Sequence, residues 1–196
     1  MLIYLIRHAE KEKLSTDPPL TKLGQEQAQK TAEYFKDIQI DKIYSSPLKR
    51  TKETSEIISK YLKMNFEIDD LLKERFNWGD IKNQTHSEFV EMWKKSSLAR
   101  NWQPPEGFSS DEAGDRLKKF IETIDKNNVD KVIAVSHGGI IADFLRNTFE
   151  DKVLNELLPD FSDYYEYLIP FSSITILEKI DADYKVISIA DAKHLK

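Results

Sequence analysis

Apolar residues gather at the start of the chain, where Leu2, Ile3, Tyr4, Leu5 and Ile6 run unbroken up to Arg7-His8. So short a run, closed by a charged pair, predicts a strand buried on both faces of a parallel sheet. The pattern returns at Asp130-Lys131-Val132-Ile133-Ala134-Val135-Ser136-His137-Gly138-Gly139, where a second apolar strand again meets a histidine. Between them the spacing becomes helical. Ala28, Thr31, Ala32 and Phe35 share one face of a segment opened by Leu20-Thr21-Lys22-Leu23-Gly24, with Thr21 placed to cap it. Asp41 to Ser45 predicts a short strand. Ser46-Pro47 then reads as an N-cap followed by proline at the first helical position. Leu48, Thr51, Ile57, Ile58, Tyr61 and Leu62 supply the buried face of the helix that follows.

The alternation breaks after Phe66-Glu67-Ile68, a third strand candidate. Residues 71–108 hold all three tryptophans (Trp78, Trp93, Trp102) and the pair Pro104-Pro105, and are too few to bury a core alone. They are expected to form a cap-like insertion over the sheet. Ala113, Leu117, Phe120, Ile121 and Ile124 mark another amphipathic helix, leading into the strand Val132 to Val135. Gly138-Gly139 opens a helix carrying Ile140, Ile141, Phe144 and Leu145. Ser173 to Ile180 and Tyr184 to Ala190 flank Asp181-Ala182-Asp183 as a hairpin. The sum is an α/β fold: a single domain over residues 1–196, its mostly parallel, mixed sheet flanked by helices on both faces.

Composition narrows the function classes. With 196 residues, 40% hydrophobic and 32% charged, the chain is an ordinary globular domain, and no apolar stretch is long enough to span a bilayer. The opening run is too short for a signal peptide and lacks a basic start, so no membrane partner and a cytoplasmic location are expected. Absence of cysteine excludes disulfides and thiolate metal sites. A net charge of -5 speaks against nucleic acid as the partner, while leaving room for a local basic pocket.

The candidate chemistry lies at strand ends. Junctions on the carboxyl edge of a parallel sheet open into one crevice, which would bring His8 and His137 together. Arg50, in the first turn of the helix after Ser46-Pro47, is by itself as readily a solvated arginine beside Lys49 and Lys52. At a third junction of the same edge it becomes an anion ligand.

These motifs together resemble the histidine phosphatase superfamily, which includes the cofactor-dependent phosphoglycerate mutases. Arg7-His8-Ala9 is similar to its opening motif, Ser45-Ser46-Pro47-Leu48-Lys49-Arg50-Thr51-Lys52-Glu53-Thr54 to its second, and Leu72-Lys73-Glu74-Arg75 to its acid-bearing segment. Pro105-Glu106-Gly107-Phe108-Ser109 resembles the stretch before the penultimate helix, Val135-Ser136-His137-Gly138-Gly139 the last catalytic motif, and Asp191-Ala192-Lys193-His194-Leu195 the usual ending. The resemblance covers nearly the whole chain in order and implies a phosphoglycerate mutase-like fold.

It also implies a mechanism. His8 would be the nucleophile that carries the phosphoryl group, neutral near pH 7 because an unperturbed histidine titrates at about 6.5. Arg7, Arg50 and His137 would surround the phosphoryl oxygens, with no metal and no cofactor. Glu74 would be the proton donor to the leaving oxygen. It sits between Lys73 and Arg75, where a solvated carboxylate is the competing reading, and Trp78-Gly79 follows it one residue later than in the family pattern. Asp80 is therefore the alternative acid. Thr21, Gly24 and Gly138 would help close the phosphate pocket, although Thr21 also fits a helix cap. Glu10 reads as a loop acid, and His86 and His194 as surface or packing histidines. The tryptophans and Tyr164-Tyr165-Glu166-Tyr167 fit either a core or an apolar substrate wall; exposed tryptophans would also offer a homodimer contact.

The expected activity is metal-independent hydrolysis of a small phosphorylated metabolite. The alternatives are a phosphoglycerate-type mutase and a non-catalytic phospholigand-binding module. The chain lacks the arginine- and proline-rich extra segment of longer mutase relatives, offering only Lys94, Lys95, Arg100 and Pro104-Pro105 there. Specificity is expected in residues 71–108 and 159–170.

Overall fold

The computed structural model describes residues 1–125, 129–161 and 168–196. The Tyr164–Tyr167 cluster lies outside the described residues. In chain order the elements are β1 (Leu2–Arg7), α1 (Lys22–Tyr34), β2 (Lys42–Ser45), α2 (Lys49–Leu62), β3 (Glu67–Ile68) and a 3-10 turn at Asp70–Leu72. Then come α3 (His86–Leu98), α4 (Ser110–Asp125), β4 (Lys131–Ser136), α5 (Gly138–Thr148), α6 (Asp151–Leu157), β5 (Ile174–Ile180) and β6 (Asp183–Asp191).

One six-stranded sheet runs in the order β3-β2-β4-β1-β5-β6. Strands β3, β2, β4 and β1 are mutually parallel, and the hairpin β5-β6 adds an antiparallel edge. The unbroken apolar runs are explained by coverage on both faces. Ile3 and Leu5 point into a core with Leu117, Phe120, Ile140 and Phe144, from α4 and α5. Tyr4 and Ile6 point the other way, onto Ala32, Phe35 and Ile58 near α1 and α2. Each such buried side chain contributes roughly 1.5–3 kcal/mol from leaving water.

Strands β1 and β4 lie side by side, with Arg7 opposite Ser136. The chain leaving β1 builds α1 on one face, and the chain leaving β4 builds α5 on the other. That divergence is a topological switch point, where an open α/β sheet forms a crevice.

Two local expectations need correction. Helix α2 begins at Lys49 with Leu48 as its N-cap residue, and no side chain of that residue caps it. The Asp17 carboxylate, delivered from a distant loop, accepts from the Lys49 N–H at 2.8 Å, so Ser46 is left for another task. Tyr61, expected on the buried face of α2, is 38% exposed, while Thr51, Thr54, Ser55 and Ser59 are buried there. Helix α6 had no counterpart in the apolar pattern, because seven residues give barely two turns of periodicity.

Candidate active site

His8 follows β1 directly and is 3% exposed. Its backbone N–H donates to the Ser136 carbonyl at 2.9 Å, which ties it to the end of β4. The Ala9 carbonyl lies 2.8 Å from Nδ1 and can only accept, so Nδ1 carries the proton. Nε2 is therefore a lone pair, and it accepts from the Arg50 Nε–H at 3.1 Å. Burial, reinforced by Arg50 and Arg7, holds the His8 pKa well below the usual histidine range. The ring is a neutral base with a single available nitrogen.

Two arginines frame it. Arg50 is 3% exposed, and its Nη2 donates to Asn77 Oδ1 at 2.7 Å. Asp17 lies 3.6 Å from its Nη1. Arg7 donates to the Ile169 carbonyl at 2.5 Å, and its guanidinium lies 3.9 Å over the Phe171 ring. His137 packs against His8 with ring centroids 5.3 Å apart. It is fully buried, and its Nε2 lies 2.8 Å from Ser46 Oγ. Its Nδ1 has no partner among the described residues. Burial first, and then the charge of Arg50, hold its pKa well below the ordinary value. The ring occupies the N-cap position of α5 without capping it.

Glu74 does that capping. One carboxylate oxygen accepts from Gly139 N at 3.0 Å; the other accepts from Ile140 N at 2.9 Å and Arg75 N at 3.0 Å. The first amides of a helix suit a carboxylate, through both orphan donors and the dipole. Gly139 is required for the approach, since a Cβ there would stand 2.6 Å from Glu74 Oε1. Arg7, His8, Arg50, Glu74 and Gly138 all line one cavity of about 300 Å³. His8, two arginines and a carboxylate thus share one cavity at the sheet edge, with His137 packed against His8.

Residues 3–158 match the sequence profile of the histidine phosphatase superfamily, branch 1. The chain belongs to that superfamily. It is 34% identical over 148 residues to the Bacillus subtilis protein named uncharacterized phosphatase PhoE, covering 71% of this chain and 72% of that one. It is 31% identical over 149 residues to the Escherichia coli protein named probable phosphoglycerate mutase GpmB, covering 69% of each. Its fold is shared with phosphoserine phosphatase from Entamoeba histolytica, solved with 3-phosphoglyceric acid. There the TM-score is 0.75 at 22% identity, over 100% of this chain and 99% of that one.

Other members of the expected histidine phosphatase site are placed elsewhere. Thr21 caps α1, accepting from Gly24 N at 2.9 Å and donating to Glu10 Oε1 at 3.0 Å. Gly24 packs against the Glu10 carbonyl, and neither residue is on the cavity wall. His137 adjoins His8 without reaching that wall. Asp80 is exposed and accepts from the Asn77 N–H at 2.6 Å, closing a turn outside the cavity. His194 packs on Tyr34, with its Nε2 3.1 Å from Thr31 Oγ1. Trp78, Trp93 and Trp102 are half-buried, and the first two line the cavity.

Sequence reasoning missed four residues here. Ser46 meets His137, Asn77 holds Arg50, Phe171 stacks on Arg7, and Lys11 lines the cavity within the field of Arg50 and Arg7. The Lys11 pKa is lowered to about 8, by burial and then by the charges of Arg50 and Arg7. It stands four residues after Arg7, and that basic spacing was its only signal. His86, read as a surface or packing histidine, is exposed yet lines the same cavity, edge-on to Trp78 at 5.0 Å.

Proposed function

We propose that the chain hydrolyses phosphomonoesters through a phosphohistidine on His8. The Nε2 lone pair attacks phosphorus, the bond to the ester oxygen breaks, and Glu74 supplies the proton to the departing alcohol. Water then attacks the phosphohistidine, Glu74 takes its proton, and the bond to Nε2 breaks to release inorganic phosphate. Arg7 and Arg50, both on the cavity wall, stabilise the charge on the peripheral oxygens, and His137, packed against the His8 ring, holds that ring in place.

The observation that carries this reading is the state of His8. Its Nδ1–H is spent on Ala9, so the neutral ring offers Nε2 alone, beside an arginine that must turn its N–H to an arriving phosphate. Glu74 is supported as the acid over Asp80 because it is anchored on the cavity wall. Among the described residues no group of three or more His, Asp or Glu side chains could hold a metal ion. No described helix is long and apolar enough to cross a membrane. A cytoplasmic setting belongs to the same reading and rests on the absence of cysteine. A homodimer through the tryptophans is not part of it, because two of the three face the cavity.

The test is hydrolysis of p-nitrophenyl phosphate in excess chelator by wild type and His8→Ala, with labelled protein trapped by alkaline quench. Wild-type turnover and an acid-labile phosphoprotein, both lost in the variant, are expected. Full activity in His8→Ala would overturn the reading. The 31% identity to a protein named as a mutase keeps a second reading, transfer between hydroxyls of one substrate. Label from 3-phosphoglycerate appearing in its isomer instead of inorganic phosphate would establish it.

A further inference from the structure

We propose that the cavity selects phosphomonoesters with an aromatic or bulky apolar leaving group, using α3 as its recognition wall; this rests on the phosphatase reading above. Helix α3 presents His86, Phe89, Val90 and Trp93 at i, i+3, i+4 and i+7, a single stripe, and all four line the cavity. Phe76 and Trp78, from the loop before it, extend the wall. The rings form one chain, with centroids 5.0 Å apart from Trp78 to His86 and 6.2 Å from His86 to Phe89. It continues at 5.8 Å from Phe89 to Trp93 and 5.3 Å from Trp93 to Phe76.

Core packing does not account for this stripe. None of these residues belongs to the apolar clusters that cover the faces of the sheet. The core-facing residues of α4 are at most 2% exposed, whereas Val90 on α3 is 39% exposed. Leu168, Ile169 and Phe171, from a different part of the chain, add to the apolar lining of the same cavity.

Charged side chains on the lining are already engaged. Arg75 and Asp143 form a buried pair at 3.5 Å. The Arg75 guanidinium lies 3.7 Å over Trp93, which fixes that ring as part of the wall. Arg146 donates to the Phe161 carbonyl at 2.9 Å. Lys11 is at the phosphate end, within the field of Arg7 and Arg50. A leaving group bearing its own ammonium and carboxylate would exchange water for aromatic faces, whereas a phenyl ring would leave water favourably. The volume of about 300 Å³ is at the small end of organic-ligand sites and suits a single ring system beside the phosphate.

The experiment compares esters of primary alcohols, so that leaving-group reactivity does not decide the outcome: 2-phenylethyl phosphate against phosphoserine and 3-phosphoglycerate. The expected kcat/KM for the phenylethyl ester is higher by about 30-fold, the size expected for burying one phenyl ring. Phe89→Ser, and separately Val90→Asp, should each cut that ratio by about tenfold. Equal or faster turnover of the two polar esters would overturn the substrate class and leave the phosphatase reading standing. Absence of turnover on every ester would overturn the phosphatase reading. Calorimetric titration with 3-phenylpropylphosphonate and propylphosphonate then decides the wall by itself. Tighter binding of the phenyl compound by tenfold or more supports it, and equal binding overturns it.

Discussion

Arg50 donates its Nε–H to Nε2 of His8 at 3.1 Å, so the nitrogen that would attack phosphorus is covered by one of the groups that would bind phosphate. The contact, with that of Nδ1 to the Ala9 carbonyl, holds the imidazole in one tautomer. Asn77 holds the same guanidinium through Nη2 at 2.7 Å. Arg50→Lys keeps a charge but loses this fork, and kcat on p-nitrophenyl phosphate is expected to fall by about 10²–10³. Asn77→Ala should cost less, roughly tenfold, mostly in KM. Activity of the Arg50→Lys variant within about threefold of wild type would remove Arg50 from the chemistry.

Glu74→Gln separates acid catalysis from helix capping. One amide oxygen replaces two carboxylate oxygens, so part of the α5 capping is lost for both substrates alike, and no proton can be passed on. Turnover of an alkyl phosphate should fall by about 10²–10⁴ and that of p-nitrophenyl phosphate by much less, since nitrophenolate departs without a proton. Equal losses on both substrates would contradict the acid role.

Lys11, its pKa lowered to about 8, is a cation at pH 7 and neutral above that value. Attraction for a phosphate dianion is therefore present below pH 8 and fades above it. The kcat/KM profile should carry a basic limb near pH 8 that is absent in Lys11→Gln, together with a higher KM below pH 8 for the variant. A basic limb unchanged by the substitution would assign the titration to another group.

Acid stability follows from the two buried histidines. Both have folded pKa values held below the unfolded value of about 6.5, so the unfolded chain binds more protons as pH falls through that point. Each costs about 1.4 kcal/mol per pH unit until its folded pKa is reached. Asp143, raised to about 6 by burial, acts in the opposite sense between about pH 6 and pH 4 and offsets one of them. Thermal melts should show a falling Tm from pH 7 to pH 5, smaller in His137→Gln. A Tm that rises over that interval would contradict the assignment.

Arg75 and Asp143 are 2% and 1% exposed. Arg75→Met leaves Asp143 with Arg100 as its remaining ion-pair partner among the described residues and removes the cation from Trp93. A loss of about 3–5 kcal/mol in urea unfolding is expected, with a smaller one for the double replacement of Arg75 and Asp143 by apolar residues. A single-variant loss below ~1 kcal/mol would show that the pair is dispensable.

The chain by itself determined the scaffold and the strand-end histidines. Leu2–Ile6 and Val132–Val135 are unbroken apolar runs because both faces of those strands are covered, and the residue after each run falls at the sheet's carboxyl edge. The positions of Arg7, His8, Arg50, His137 and Gly138 were legible, because local sequence fixes a strand end or the first turn of a helix. Only the tertiary structure decided what those residues touch. Asp17 caps α2 in place of Ser46, freeing Ser46 for His137; Asn77 reaches Arg50, and Phe171 covers Arg7. Thr21, equally legible as a pocket residue or a cap, became the cap. The stripe on α3 reads in sequence like any amphipathic helix, since periodicity reports that a face is apolar and not what it faces. Partners that meet across long stretches of chain leave no local pattern, because their pairing depends on where the sheet and its helices place them.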